Sequence, residues 1–356
     1  MLVFKYISLH YLKYFFVILT ALIFFSVGFD YVGVASQLPD SANLVLMYVV
    51  YKVFYSIDML LPLTLIFAMI ATKVSFIRNN TLVGFYSLGY SKVDILKPFV
   101  AVSTLIIIIF IALHSTSFAR ANEMARTIKA NDSLVYTTTD LFFTYQDKYV
   151  YFAELFPLQE RAKDIRIFSV KDSKLQKVVT ADGAHYKDGF WHIDDAHIIT
   201  KPTQLTLNMT EGVSIEEGVQ LKLLKDFRPK ILDQVYEGKV DFTIFDAVDA
   251  IVLLNSENIS IEKIKSALYK IFIYPFFVPS LLIVIFFIVP TSTRSLSVSL
   301  FSFGAILATL MTWVFLFTMI EFSNNKVISS EVGIIAPVAL LWLVAYFIWN
   351  KNRAYH

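Results

Sequence analysis

The chain has no cysteine, which excludes a disulfide framework and any thiolate-ligated metal. It has no Walker A sequence G-x-x-x-x-G-K-[ST], so it cannot cradle ATP phosphates in the usual way. The polar middle block of the chain also lacks G-x-S-x-G, H-E-x-x-H and a cluster of closely spaced carboxylates, the usual marks of hydrolase and zinc-peptidase chemistries. No cofactor or catalytic residue is expected. A net charge of +2 carries no signal for nucleic acid. Only 17% of residues are charged.

What fills the chain instead is apolar. Hydrophobic residues make up 56%, with 33 phenylalanines and a mean hydropathy of +0.62. They collect in six long runs, at residues 14–34, 53–72, 99–114, 271–289, 298–320 and 332–349. A helix of about 20 apolar residues crosses about 30 Å of hydrocarbon, so each run reads as a membrane span. Small residues at Gly33 and Ala35 resemble a signal-peptide cleavage site. The first apolar run is too long for a signal core, however, and five more spans follow.

Basic loop residues set the expected orientation. Lys5, Lys13, Lys73, Arg78, Lys92, Lys97, Arg294, Lys351 and Arg353 fall on one side if the spans alternate; the short loops opposite offer Lys326, with Lys52 near a boundary. Both termini are expected in the cytoplasm and the large middle block on the other face. The expected organisation is residues 1–114 with spans one to three, 115–266 as the extramembrane domain, and 267–356 with spans four to six.

From Lys148 the pattern changes to short alternating segments. Strands are expected at residues 149–152, 165–170, 175–180, 190–193, 197–200 and 219–223, separated by turns at Lys171-Asp172-Ser173, Lys187-Asp188-Gly189 and Asp194-Asp195. Regularly spaced short strands favour a sandwich, jelly roll or open barrel. Thr243 and Asp246 have capping-box spacing ahead of a helical run at 247–254, and residues 261–268 read as helix continuing into the fourth span. His185, His192 and His197 have the residue type for a metal site, but strand alternation puts them on a polar face or at a hairpin edge.

Between spans two and three lies a loop long enough for a short amphipathic helix, about residues 76–89. Leu82, Val83, Phe85, Tyr86 and Leu88 would supply its apolar contacts, and Gly89 its end. Spacing alone leaves two readings open: a helix lying on the bilayer, or a coupling helix docking on a separate ATPase subunit.

Several stretches, in order, resemble one family. Leu82-Val83-Gly84-Phe85-Tyr86-Ser87-Leu88-Gly89-Tyr90-Ser91 resembles the segment (E)-L-x-x-x-x-(A)-x-G-(F/L)-(S/T) of the LptF/LptG permeases, membrane subunits of the lipopolysaccharide-export ABC transporter. The likeness continues at Glu123-Met124-Ala125-Arg126, Val150-Tyr151-Phe152 and Ile165-Arg166-Ile167-Phe168. It extends through Thr180-Ala181-Asp182-Gly183-Ala184-His185-Tyr186 to Phe190-Trp191-His192-Ile193, and to Lys270-Ile271-Phe272 with Pro275. The tryptophan strand and the lysine-to-proline element lean toward LptG.

The resemblance implies a six-helix membrane bundle, three plus three, with an inserted periplasmic jelly-roll-like β-domain. It also implies a non-catalytic permease subunit extracting lipopolysaccharide from the inner membrane. The implied partners are an LptF-like second permease, an LptB-like ATPase dimer that hydrolyses the ATP, and LptC-like and LptA-like bridge proteins. Thr81, Leu82, Phe85, Tyr86 and Leu88 become the coupling helix, with Leu82 and Phe85 as apolar anchors in the ATPase; Thr81 stands where the family usually has glutamate. Arg126 and Lys129, at i,i+3 spacing, match basic positions near the lipid phosphates, and Arg120 and Lys52 are further lipid-binding candidates. A solvated, snorkelling helix is the other reading of Arg126 and Lys129. Gly33 and Tyr55 replace lysines that relatives often carry.

Asp30 and Asp58 lie in or near hydrocarbon, where a carboxylate is costly and usually paired. They read as helix-paired carboxyls ahead of gate residues, and Pro62 and Pro275 as bends. Other functions remain open: a permease of lipoprotein-release type, which commonly has four spans, or a membrane scaffold or sensor without transport. A secondary transporter would show midplane charges and repeat symmetry not apparent here.

Overall fold

The computed structural model describes residues 2–131, 137–145, 148–157, 159–171, 174–202, 212–225, 227, 229, 242–256, 262–288 and 298–353. Arg294 and the Asp172-Ser173 turn lie outside them. The chain forms two units, Met1–Ala125 with Glu262–His356, and Arg126–Ile261.

The first unit is helical: α1 (Leu2–Val34), α2 (Ala42–Arg78), α3 (Thr81–Ser87), α4 (Lys92–Leu113), α7 (Glu262–Phe272), α8 (Phe277–Ile288), α9 (Val298–Asn324) and α10 (Ala336–Arg353). Among the described residues six helical stretches are long and apolar enough to cross a membrane. Each expected run lies within or overlaps one of them, although α1 and α2 extend well beyond the apolar cores. The second and fourth spans are mostly buried; the first, fifth and sixth are mostly exposed. The bundle core is built where α2 and α8 meet, with Leu65, Ile66, Phe99, Phe277, Leu282 and Phe286 fully or nearly fully enclosed.

Proline acts differently at its two expected bends. Pro62 sits inside a helix that continues to Arg78. Pro275 breaks the fourth span: α7 ends at Phe272, a 3-10 turn covers Tyr274–Phe276, and α8 follows. Its ring removes a donor and cannot follow α-helical packing against the preceding turn.

The sixth span begins as a π-helical turn, Glu331–Ile335, before α10. Gly333 lies against α9 so closely that a Cβ there would stand 2.9 Å from the Met319 carbonyl oxygen and 2.9 Å from the Ser323 Cβ. Ser330 Oγ also donates to Glu262 at 2.9 Å, and Ser266 Oγ donates to the Asn324 side chain at 2.7 Å. These bonds tie spans four, five and six together at one end. At the other end Lys73 is buried, its ammonium donating to the Phe286 carbonyl and lying 4.1 Å from that ring's centre. Expected as a loop residue, Lys73 instead satisfies the C-terminal turn of α8, where cations are favoured.

Among the described residues the second unit holds six strands: β1 (Thr138–Tyr145), β2 (Lys148–Phe156), β3 (Arg161–Lys171), β4 (Lys174–Lys187), β5 (Phe190–Thr200) and β6 (Ser214–Leu223). They form one antiparallel sheet in the order β1-β2-β3-β4-β5-β6. The expected all-β domain is present, and among the described residues its connections run between neighbours. The sheet is strongly curled. Phe152 on β2 and Trp191 on β5 are three strand spacings apart, about 14 Å in a flat sheet, yet their ring centres lie 5.0 Å apart. The enclosed face buries Phe143, Val150, Ile167 and Ile198, and Trp191 Nε1 donates to the Phe227 carbonyl at 2.8 Å.

Two expectations for this unit need correction. Asp194-Asp195 is not a turn. Residues 190–193 and 197–200 belong to the single strand β5, whose pairing to β6 shifts between Ile193 and Ala196. A bulge absorbs the extra residue and lets the polar pair face outward without ending the strand. β1 was not expected, because its polar threonines mask the alternation of Leu141 and Phe143, the side chains that point inward. The Asp188-Gly189 turn is a two-residue hairpin loop, φ 52° and 82°, as its sequence suggests. Helix α6 (Ile244–Ser256) covers the expected 247–254 run and starts three residues earlier, directly after Thr243, whose Oγ1 accepts from the Asp246 amide at 3.1 Å.

Candidate functional site

The corner between spans two and three is shorter than the expected 76–89 helix. Residues 76–78 still belong to α2, and α3 covers only Thr81–Ser87. Its end is closed by a Schellman motif: the Tyr90 amide donates to the Phe85 carbonyl at 3.1 Å and the Gly89 amide to Tyr86 at 3.0 Å. Gly89 takes φ 84°, a conformation that costs glycine little. The Phe85 and Tyr90 rings meet edge-on at 6.4 Å, the apolar contact that accompanies this motif. After the corner, α4 starts with a capping box, Ser91 accepting from the Asp94 amide at 3.2 Å while the Asp94 carboxylate accepts from the Ser91 amide at 3.3 Å.

The side chains of α3 divide into two sets. Leu82 is fully enclosed and Phe85 nearly so. Phe85 meets Tyr6 and Phe76 at ring distances of 6.0 Å each. The two expected partner anchors are thus spent inside the chain's own core. Val83 and Leu88 point outward, Leu88 being 73% exposed, with Gly84 and Ser87 beside them. Thr81 and Tyr86 are half-buried. Burial pushes the Tyr86 hydroxyl up to about 12, and among the described residues that oxygen has no hydrogen-bond partner.

At the opposite end of the bundle Asp30 and Asp58 are both paired. Asp30 on α1 meets Lys52 on α2 at 2.9 Å and accepts from the Tyr48 hydroxyl at 2.7 Å. The Lys52 ammonium lies 5.7 Å from the Tyr48 ring and 5.4 Å from the Tyr55 ring. Tyr55, which stands where relatives often have lysine, therefore faces the lysine one turn away. Asp58 pairs with His114 Nε2 at 2.9 Å, and His114 Nδ1 lies 3.0 Å from the Phe110 carbonyl oxygen. His114 was not singled out from the sequence. Its position just past the third span, opposite a carboxylate just inside the second, was the available signal.

The four basic candidates do not behave alike. Arg120 is 5% exposed, and its Nε and Nη2 donate to Glu123 at 2.8 and 3.2 Å. A guanidinium held in that fork is committed within the chain. Lys52 is largely enclosed and paired. Arg126, on α5 (Ala121–Asn131), is exposed and Lys129 half-buried, and among the described residues neither makes an ion pair. The histidines of the β-unit lie on its outer face: His185 and His192 stack at 5.3 Å, and His197 is 3.9 Å from Glu217.

Comparison with curated proteins returns no match. Comparison with protein families matches one, described as lipopolysaccharide export system permease LptF/LptG, over residues 5–351. The chain belongs to the LptF/LptG family, the permease components of the lipopolysaccharide export system, and is a multi-pass inner-membrane protein.

Proposed function

We propose that the chain is one of two permease subunits of an ABC transporter that draws lipopolysaccharide out of the inner membrane and hands it to a periplasmic bridge. In this reading the termini and α3 face the cytoplasm and the β-unit faces the periplasm. An LptB-like ATPase dimer docks at α3, an LptF-like second permease completes the lipid cavity, and LptC-like and LptA-like proteins receive the lipid. The exposed apolar faces of spans one and five, including Phe24, Phe29, Phe303 and Phe315, suit a helical partner or lipid tails. Arg126 and Lys129 would meet lipid phosphates, with Lys52 as a companion.

The observation that carries the reading is the build of the α3 corner. Leu82 and Phe85 fix the helix to its own bundle, while Val83, Gly84, Ser87 and Leu88 form an outward face. A helix merely resting on the bilayer would turn its largest apolar residues toward lipid. Here Leu82 and Phe85 turn into the protein, leaving Val83 and Leu88 as a small outward surface of the kind a partner reads. The test is affinity purification in detergent. Wild-type chain should bring down an ATPase and a second permease. Leu88→Glu with Val83→Glu should lose the ATPase by tenfold or more, through charge on a desolvated contact, while the second permease stays. Leu82→Glu should instead lower the amount of folded chain. Equal ATPase recovery with the Val83 and Leu88 variants would sink the docking assignment.

A further inference from the structure

A cleft of about 600 Å³ opens between α1, α4, α8 and α10, at the end of the bundle that carries α3 and the termini. Its floor is Ile283 and Ala345, both buried; its walls are Phe4, Trp342, Tyr346 and Trp349. Small side chains at Ala101 and Ala345 leave the space. The charged and amide side chains in the lining are Lys97 and Asn350, beside the Tyr346 hydroxyl and the indole N–H groups of Trp342 and Trp349. Lys97 is in the second turn of α4 and Asn350 in the last turn of α10, so both sit at the outer end of the cleft. Trp342 lies eight residues before Asn350 along α10, so the apolar part runs about 12 Å deeper. The Trp342 indole donates to the Phe276 carbonyl at 3.1 Å, and Trp349 packs edge-on against Phe287 at 6.0 Å. Two walls are therefore fixed in place.

We infer that this cleft is a binding site for a membrane glycerophospholipid, separate from the path of the exported lipid. One acyl chain occupies the apolar cleft, and the phosphate lies at Lys97 and Asn350. The Trp342 N–H in the deep part is already spent on the Phe276 carbonyl, so water there would find few polar partners, and an unfilled cleft would forfeit dispersion contacts along its walls. The surrounding medium at this depth is hydrocarbon, so a lipid tail is the occupant at hand. Charge decides the headgroup. Lys97 presents an ammonium where phosphates lie, the Asn350 amide adds a neutral donor, and Lys5 and Lys351 follow the lining residues Phe4 and Asn350 in sequence. Asp94 holds Lys97 at 2.8 Å, but that pair is 60% and 42% exposed. Such a pair contributes little, so a phosphate competes with it. Aromatic residues beside lysine at a span's end also match the interfacial zone of a bilayer.

The experiment is native mass spectrometry of the full chain, purified with its partner subunits and delipidated, then titrated with phosphatidylglycerol or phosphatidylcholine. Wild-type protein should retain one phosphatidylglycerol more strongly than any further lipid. Ala101→Phe, which fills the cleft from α4, should abolish that retained lipid. Ala308→Phe, on the exposed face of α9 away from the cleft, should not. Lys97→Gln changes an exposed side chain and should weaken phosphatidylglycerol retention about fivefold to tenfold while sparing phosphatidylcholine, so the headgroup assignment is tested even if Ala101→Phe accumulates poorly. Equal retention by the Ala101 and Ala308 variants together with unchanged retention by Lys97→Gln would reduce the bound lipid to ordinary bilayer contact. Loss of a co-purifying subunit from Ala101→Phe with the lipid count unchanged would assign the cleft to a partner's helix. Either result overturns the inference.

Discussion

Lys52 illustrates how a single ion pair decides what a residue can do. Held at 2.9 Å by Asp30 and flanked by two tyrosine rings, its ammonium is neutralised and largely enclosed. If it serves lipid phosphate, Asp30 is its competitor, and the two substitutions should act in opposite directions. Asp30→Asn should raise crosslinking of lipopolysaccharide near residue 52, and Lys52→Ala should lower it. If the pair only joins α1 to α2, both variants should lower thermal stability and neither should raise crosslinking. Arg126 and Lys129 carry no such competitor among the described residues. Charge reversal at both, to glutamate, should therefore reduce lipid crosslinking more than alanine does, since repulsion is added to loss. Unchanged crosslinking in the reversed protein would leave them as the solvated end of α5. Arg120 behaves differently because Glu123 accepts from its Nε and Nη2 at 2.8 and 3.2 Å, which leaves that edge of the guanidinium already occupied.

At the level of elements, the close approach of the sixth span to α9 rests on Gly333. A methyl group there meets a backbone oxygen and a Cβ at 2.9 Å, neither of which yields by rotating a flexible tip. Gly333→Ala should destabilise the bundle by about 1–3 kcal/mol, as overpacking does, seen as a lower melting temperature in detergent. Gly304 has open space around its Cα, so Gly304→Ala on α9 is the matched control and should be neutral or slightly stabilising. Similar melting temperatures for the two variants would mean that the sixth span shifts freely on α9. The α3 corner shows a related economy: a helix of seven residues is too short to persist alone. It is held by Leu82, Phe85 and the Schellman closure at Gly89, with the capping box at Ser91 restarting the chain as α4.

For the whole molecule, the proposed orientation makes a direct prediction. A reporter fused after Gly189 in the β4–β5 hairpin should register as periplasmic, and one after Ser87 at the end of α3 as cytoplasmic. The warrant is the one-sided placement of loop lysines and arginines. A cytoplasmic signal from the Gly189 fusion would invert the transport direction assigned to every part. The bundle itself is lopsided, with spans two and four enclosed and spans one, five and six facing outward. A single copy thus offers wide apolar surface, as a subunit of a larger membrane assembly should.

The sequence by itself determined the spans, because twenty consecutive apolar residues have few alternatives to a membrane helix. It also determined the existence of an all-β unit, through the alternation around Val150-Tyr151-Phe152 and Ile165-Arg166-Ile167-Phe168, and the Asp188-Gly189 hairpin, through local backbone preference. The tertiary structure alone decided which apolar residues are available to a partner. Leu82, Phe85 and Leu88 are all apolar, and only tertiary packing, which sets Phe85 against Tyr6 and Phe76 and encloses Leu82, turns two of them inward. It alone decided that Asp58 meets His114, 56 residues along the chain, and that Arg120 is committed to Glu123 rather than to solvent. Asp194-Asp195 carries turn residues, yet pairing with β6 keeps it in a strand through a bulge. Helix and strand formation depend on neighbours within a few residues, which a sequence displays. Burial, ion pairing and cleft shape depend on residues brought together from distant positions, and these appear only when the helices are packed.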